Sequence, residues 1–170
     1  NKNWAKAKEY AEMIREIRAR GIQIVALIML GLDDDSPEDF DRTLEFLIQN
    51  KVALAKFHLP LPYPGTRFFD RMDREGRILT RDWDLYDTRH VVYRPARLAP
   101  DVLKRGYDRA YREFYRWSSI ARGSRSHESM KHQAKHFFYA VGWKKFEPLW
   151  DMVIRAKRLA IMTPVLEGVL

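Results

Sequence analysis

Nine consecutive residues, Ile22 to Leu30, are all Ile, Val, Leu, Met or Ala apart from Gln23. A membrane-spanning helix needs ~20 apolar residues, so this run is too short to cross a bilayer. A continuous apolar run of this length predicts a strand buried on both faces, as in a parallel sheet covered by helices. Its flanks agree. Residues 3–20 read as an amphipathic helix with Trp4, Ala7, Ile14 and Ile17 on one stripe, closed by Gly21 as a C-terminal cap. On the other side Ser36-Pro37 is a helix start: Ser caps and Pro takes the first turn. Asp39 follows in a capping-box position, and Phe40, Leu44, Leu47 and Ile48 form the apolar stripe. Val52 to Leu59 is a second β-like run. Residues 3–59 therefore read helix, strand, helix, strand, a unit of a parallel barrel or a doubly wound sheet.

The proline-rich stretch Leu59-Pro60-Leu61-Pro62-Tyr63-Pro64-Gly65-Thr66 is predicted to be a rigid loop leaving the C-terminal end of the second strand. In parallel α/β folds this is the edge where ligands bind. A short helix is expected over 67–75, then irregular, aromatic chain to residue 98. Pro100 opens a helix expected to run to about Ile120, with Leu103, Tyr107, Ala110, Phe114 and Trp117 as its core stripe. Residues 121–129 read as a polar hinge. Residues 130–141 and 146–161 read as two further helices, punctuated by Gly142 and Pro148.

Of 170 residues none is cysteine. That removes disulfides, zinc ribbons, thiol nucleophiles and Cys-ligated clusters from this chain. The chain opens at Asn1 without methionine, already in helical rhythm and without a secretory leader. The expectation is a piece of a longer protein. The net charge of +8 is concentrated: residues 89–136 carry 12 basic and 4 acidic side chains, whereas 1–88 are net −2. Arg105, Arg109, Arg112 and Arg116 alternate with Tyr107, Tyr111 and Tyr115. Such a surface can bind nucleic acid or anionic lipid. The helical spacing favours a core stripe whose arginines face solvent or meet the acidic first half, and nucleic acid is the weakest reading.

Three ordered segments resemble one family. Gly21-Ile22 through Met29-Leu30-Gly31-Leu32-Asp33-Asp34 is similar to the fifth barrel strand of radical S-adenosylmethionine (SAM) enzymes, with Gly31 at the second glycine of a loose G-x-I-x-G-x-x-E pattern. Leu27 replaces the first glycine and Asp34 the acid. Pro64-Gly65-Thr66 resembles the Pro-Gly-Thr loop after the sixth strand. Gly76-Arg77-Ile78-Leu79, Trp83, Tyr86, His90 to Tyr93 and Pro95 resemble the following extension. The likeness covers most of residues 1–125 and points to members with a cobalamin-binding domain.

The resemblance implies an α/β fold: the last strands and helices of a partial β/α (TIM-like) barrel, then a mainly helical extension. The divisions are 1–75 for the barrel portion, 76–125 for the extension and 126–170 for a helical end. It implies SAM cleaved by a [4Fe–4S] cluster to a deoxyadenosyl radical, with cobalamin a further cofactor. The product would be a methylated or otherwise modified unactivated carbon, on a lipid or tetrapyrrole. The cluster's C-x-x-x-C-x-x-C loop is absent, so no activity is expected of this segment alone. Its partners would be the missing N-terminal part of the parent, a small-molecule substrate and a membrane surface against 89–136, in the cytoplasm or at the membrane's edge. Met29, Leu30, Gly31, Phe57, His58 and Leu59 would lie against the adenine of SAM, with the backbone of 57–59 toward its edge. Gly31 serves close approach there or simply a tight turn. His58 is a catalytic candidate or a structural histidine. Tyr63, Thr66 and Arg67 line the substrate mouth or pack the loop. No metal site is read from the rest. Asp33-Asp34-Asp35 reads as a solvated turn before a helix, and His127-Glu128 with His132 does not make the H-E-x-x-H spacing, although His132 and His136 are one turn apart. The rival function is a basic helical module that binds RNA or dimerises.

Overall fold

The computed structural model describes residues 7–125 and 129–155, and the side chains of 8–125 and 129–144. Trp4, His127 and residues 156–161 of the last expected helix lie outside the described residues. Eight main elements follow one another: α1 (Ala7–Ala19), β1 (Val25–Met29), α2 (Pro37–Gln49), β2 (Leu54–His58), α3 (Arg67–Arg74), α4 (Pro100–Phe114), α5 (Trp117–Ser124) and α6 (Met130–Arg155). A single 3-10 turn at Trp83–Leu85 and a bridge between Ile78 and Tyr93 interrupt the irregular segment.

The α2 start forms as its sequence requires. The Asp39 carboxylate accepts from both the Ser36 backbone N–H and its hydroxyl at 2.8 Å. Arg42 pairs with the same carboxylate, and these bonds hold Asp39 down to about 2. α2 links β1 to β2 as parallel neighbours, in the register Val25 to Leu54 through Met29 to His58. α4 packs across α2 and β2. Phe40, Leu47, Ala55, Phe57, Leu103 and Phe114 are buried between them.

β1 is buried on one face only. Val25, Leu27 and Met29 are 48%, 70% and 54% exposed, while Ala55 and Phe57 on β2 are buried. The expectation that the Ile22–Leu30 strand is covered on both sides is therefore wrong for this chain. α2 and α4 cover the face of Ala26, Ile28, Ala55 and Phe57; on the other, the ring of Trp143 of α6 lies 4.7 Å from Lys56 Nζ, while the side chains of β1 there stay exposed.

Backbone parity fixes what each edge does. In a strand, N–H and C=O of one residue point to the same side. Leu54 donates to the Ile24 carbonyl at 3.3 Å and the His58 carbonyl accepts from Leu30 at 2.9 Å, so even residues of β2 face β1. The odd residues face away, and side chains meet them. The Tyr115 hydroxyl accepts from Ala55 N–H at 3.2 Å and donates to its carbonyl at 2.9 Å. The Tyr111 hydroxyl does the same for Phe57, at 3.2 and 3.3 Å. Leu59 donates to the Thr88 carbonyl at 2.8 Å. The match is geometric: four helix residues rise about 6 Å, close to the ~6.6 Å of two strand residues. Two tyrosines one turn apart thus stand in for a neighbouring strand.

Three further expectations are corrected. The long helix does not reach Ile120; it stops at Phe114, Arg116 is extended, and α5 begins at Trp117. Lys144 Nζ donates at 2.7 Å to the Tyr115 carbonyl, which a continuous helix would use for Ser119. Trp117 is consequently 54% exposed rather than core. The hinge expected from residue 121 is helical to Ser124, and one helix, α6, runs through both Gly142 and Pro148. Its inner side packs His136 against Gly123 of α5 and His132 against Gly21. The charge of α4 is locally answered: Arg105 pairs with Asp101 at 2.7 Å, Arg109 with Asp41 at 2.6 Å, Arg116 with Glu113 at 2.9 Å, and Lys104 with Asp108. Exposed pairs like these add little stability, but they offset most of the positive charge of the helix.

Candidate functional site

The C-terminal ends of β1 and β2 form a rim, where the register sets Met29 beside His58. Leu30, Phe57 and Leu59 are adjacent in the chain, but their side chains point into the core, at 3%, 1% and 2% exposure. Because Phe57 and Leu59 commit backbone groups to Tyr111 and Thr88, the side chains that reach the open face here are the Met29 thioether and the His58 imidazole.

Gly31 follows at once with φ +94, a conformation that side-chain-bearing residues rarely adopt. A Cβ there would lie 2.7 Å from the side chain of buried Leu103. The loop after it is held from several sides. The Asp35 carboxylate accepts from Gly31 N–H at 2.7 Å and Leu32 N–H at 2.9 Å. The Tyr93 hydroxyl donates to the Gly31 carbonyl at 2.5 Å. Burial is the main reason that hydroxyl is pushed up to about 12, so it remains a donor at ordinary pH. Asp33 takes both guanidinium nitrogens of Arg77, Arg71 Nη2 at 3.3 Å and Ala96 N–H at 3.0 Å. The Arg77 bond leads in holding its carboxyl below the usual range. Asp33 is therefore a tie to the extension, not part of a solvated turn; Asp34 is the exposed member.

His58 Nδ1 lies 3.1 Å from Thr88 Oγ1. Thr88 has φ +66, a rare state for a β-branched residue, and it is fixed at both ends: its carbonyl accepts from Leu59 while its hydroxyl meets His58. Burial, and then the charge of Lys56, hold the His58 imidazole below 6.5. The unfolded chain therefore binds more protons in the window between the two values. The neutral ring's contribution to stability is complete above the unfolded value and is lost as pH falls through the folded one. A proton NMR titration of the His58 ring is expected to give a midpoint below 6.5 that rises, incompletely, in Lys56→Met, since burial is the larger cause. A midpoint at or above 6.5 would contradict this.

The mouth candidates lie on the loop after β2. Thr66 is the N-cap of α3; its Oγ1 accepts from Phe69 N–H at 3.1 Å and donates to the Tyr63 carbonyl at 2.7 Å. Tyr63 is 51% exposed, with its hydroxyl 3.4 Å from the Tyr86 carbonyl. Arg67 is exposed at the start of α3. Thr66 is thus occupied in shaping the loop, while Tyr63 and Arg67 present free surface.

Sequence reasoning missed Thr88, Tyr93 and the Tyr111–Tyr115 pair. The available signal was chemical: tyrosines at 107, 111 and 115 on a stripe otherwise read as core. A buried phenol needs a hydrogen-bond partner, which phenylalanine would not.

No family model matches the chain. Over 120 residues it is 32% identical to bacteriochlorophyllide d C-12(1)-methyltransferase of Chlorobaculum tepidum, covering 71% of this chain and 26% of that protein. Over 114 residues it is 28% identical to bacteriochlorophyllide d C-8(2)-methyltransferase of the same organism, covering 67% and 25%. Over 71 residues it is 38% identical to hopanoid C-2 methylase of Rhodopseudomonas palustris, covering 42% and 14%. The chain thus spans about a quarter or less of the length of these curated relatives. Across about two thirds of its length it resembles a segment of two proteins named for methylation at a carbon position, and over a shorter stretch a third.

Proposed function

We propose that this chain forms the substrate-side end of a radical SAM methylase that acts at a carbon of a tetrapyrrole or lipid. The observation that carries the reading is the rim. Two parallel strands end together beneath a loop held by Asp33, Asp35 and Tyr93, and the face away from the core carries Val25, Leu27, Met29, Lys56 and His58. The relatives' names supply the reaction and the two substrate classes.

The residues fit SAM in part. Met29 and the bare apolar strand face suit the flat adenine, and Gly31 lets backbone come close. SAM supplies the activated carbon chemistry when bound. They do not fit an iron–sulfur cluster: iron needs thiolates, and the chain has none. The cluster, and a cobalamin domain, belong to the rest of the parent protein in this reading. That part would also provide the strand that pairs with the odd-numbered backbone groups of β1. Of this chain's residues, His58 orients the substrate or holds a proton at Nε2, with Nδ1 engaged by Thr88. Tyr63 and Arg67 border the mouth.

Sequencing the gene on the 5′ side of the Asn1 codon tests the reading. An in-frame C-x-x-x-C-x-x-C about 100 residues upstream is expected, the distance of a few βα units. A start codon at this position with no such motif would overturn it.

A further inference from the structure

The geometry points to the outer face of α6 as a surface that lies on an anionic lipid bilayer. α6 is two-sided. His132, His136, Ala140 and Trp143 turn inward, with His136 and Ala140 at 2% exposure and Trp143 packed on the core. Lys131, Ala134, Lys135 and Phe138 recur at i, i+3, i+4 and i+7, the spacing of one helix face, and all are exposed. Met130, Phe138 and Tyr139 are 77%, 72% and 56% exposed, and Phe137 is 38%. These are large apolar groups that a surface without a partner would not cluster.

Charge selects the partner. Between Phe114 and Phe146 the sequence holds seven basic residues and one acidic residue. In α4 Lys104, Arg105 and Arg109 meet acids; here, among the described residues, no carboxylate pairs with Lys131, Lys135, Arg122 or Arg125. A helix face of lysine stems, phenylalanines and a tyrosine, carrying no amide or aliphatic hydroxyl, suits the headgroup–acyl boundary. RNA or an acidic protein would satisfy the lysines and leave Met130, Phe137 and Phe138 with less to gain. No described helix is long and apolar enough to cross a membrane, so the contact is one of lying on the surface. α4 itself carries four basic and three acidic side chains, so most of the surplus of residues 89–136 lies outside it. The proposal does not rest on the reading of the strand ends: the gene can lack the upstream motif and this face still bind lipid.

Co-sedimentation of the 170-residue chain with vesicles tests it. Binding to vesicles of phosphatidylcholine with a third phosphatidylglycerol is expected, with little to phosphatidylcholine alone, and it should fall steeply with salt. Lys131→Gln with Lys135→Gln is expected to lower partitioning about 30-fold. Phe138→Ser should lower it several-fold while leaving the salt dependence as it was. All three positions are exposed, so unfolding midpoints should stay near the parent's. Equal binding to both vesicle types, no binding, or partitioning indifferent to these substitutions would overturn the proposal. So would a dimer by sedimentation velocity that the same substitutions dissociate, or tighter binding to poly(U) than to the anionic vesicles.

Discussion

Replacing Tyr111 and Tyr115 together by phenylalanine is expected to lower the unfolding free energy by about 2–6 kcal/mol. Each hydroxyl serves a backbone N–H and a backbone C=O on the outer edge of β2. Ala55 and Phe57 are 0% and 1% exposed, so water does not replace what the hydroxyl supplied. Removing a hydrogen-bonding partner from a buried site costs about 1–3 kcal/mol, and the two substitutions each remove one such hydroxyl. The rings themselves would stay: Tyr111 lies edge-on to Phe57 at 5.1 Å and Phe114 packs against Tyr115 at 4.9 Å, so phenylalanine keeps the apolar contacts. Urea unfolding of the two single variants and the double variant measures the effect. Near-additive losses with an unchanged denaturant slope fit two separate caps on one edge. A double variant within about 0.5 kcal/mol of the parent would mean that the edge groups find other partners.

That edge shows where sequence reading runs out. α2 and α3 were legible close to the residue: Ser36-Pro37 writes the start of α2 into the chain, and the short helix expected over 67–75 is found at Arg67–Arg74. β1 and β2 were legible from apolar runs, and their parallel pairing from the intervening helix. The exposure of β1 was not, because an apolar run does not state whether each of its faces is covered in the same chain. The break after Phe114 was not: the carbonyl it frees, that of Tyr115, is met by Lys144, 29 residues away. Gly142 and Pro148 read as punctuation, yet α6 passes through both, so local propensity was overridden. At the site, the Gly31 and Pro64-Gly65-Thr66 segments follow the C-terminal ends of β1 and β2. The groups that hold the rim, Tyr93 and Thr88, join it through hydroxyls across 62 and 30 residues of sequence. No periodicity reports such bonds.

The held loop explains why so irregular a segment can carry a rim. Asp33 draws Arg77, Arg71 and the Ala96 N–H onto one carboxylate, which fastens the extension to the end of β1. Leu98, Leu103 and Tyr107 then complete the core beneath it. The two strands with α2 and the chain from Leu98 to Tyr115 share one packed interior, so a change in either is felt at the strand ends.

Gly31→Ala is where that coupling should be largest, and a loss of about 2–6 kcal/mol is expected. Two penalties act at one atom. At φ +94 a Cβ brings backbone strain of about 1–3 kcal/mol. The same Cβ falls 2.7 Å from Leu103 Cδ2 and 2.8 Å from Cδ1, and Leu103 is fully buried, so overpacking adds about 1–3 kcal/mol. A double-mutant cycle separates them. Leu103→Ala alone should cost about 2–5 kcal/mol through its cavity. In the Gly31→Ala background it should cost less, because the new methyl group fills part of that cavity and no longer collides. The residual loss of Gly31→Ala in the Leu103→Ala protein then measures the backbone alone. Additive losses would show that Leu103 shifts freely and that strain carries the whole effect. A positive coupling would place the Gly31 turn under the control of α4, and would tie the geometry of Met29 and His58 at the rim to a helix that contributes no side chain to it.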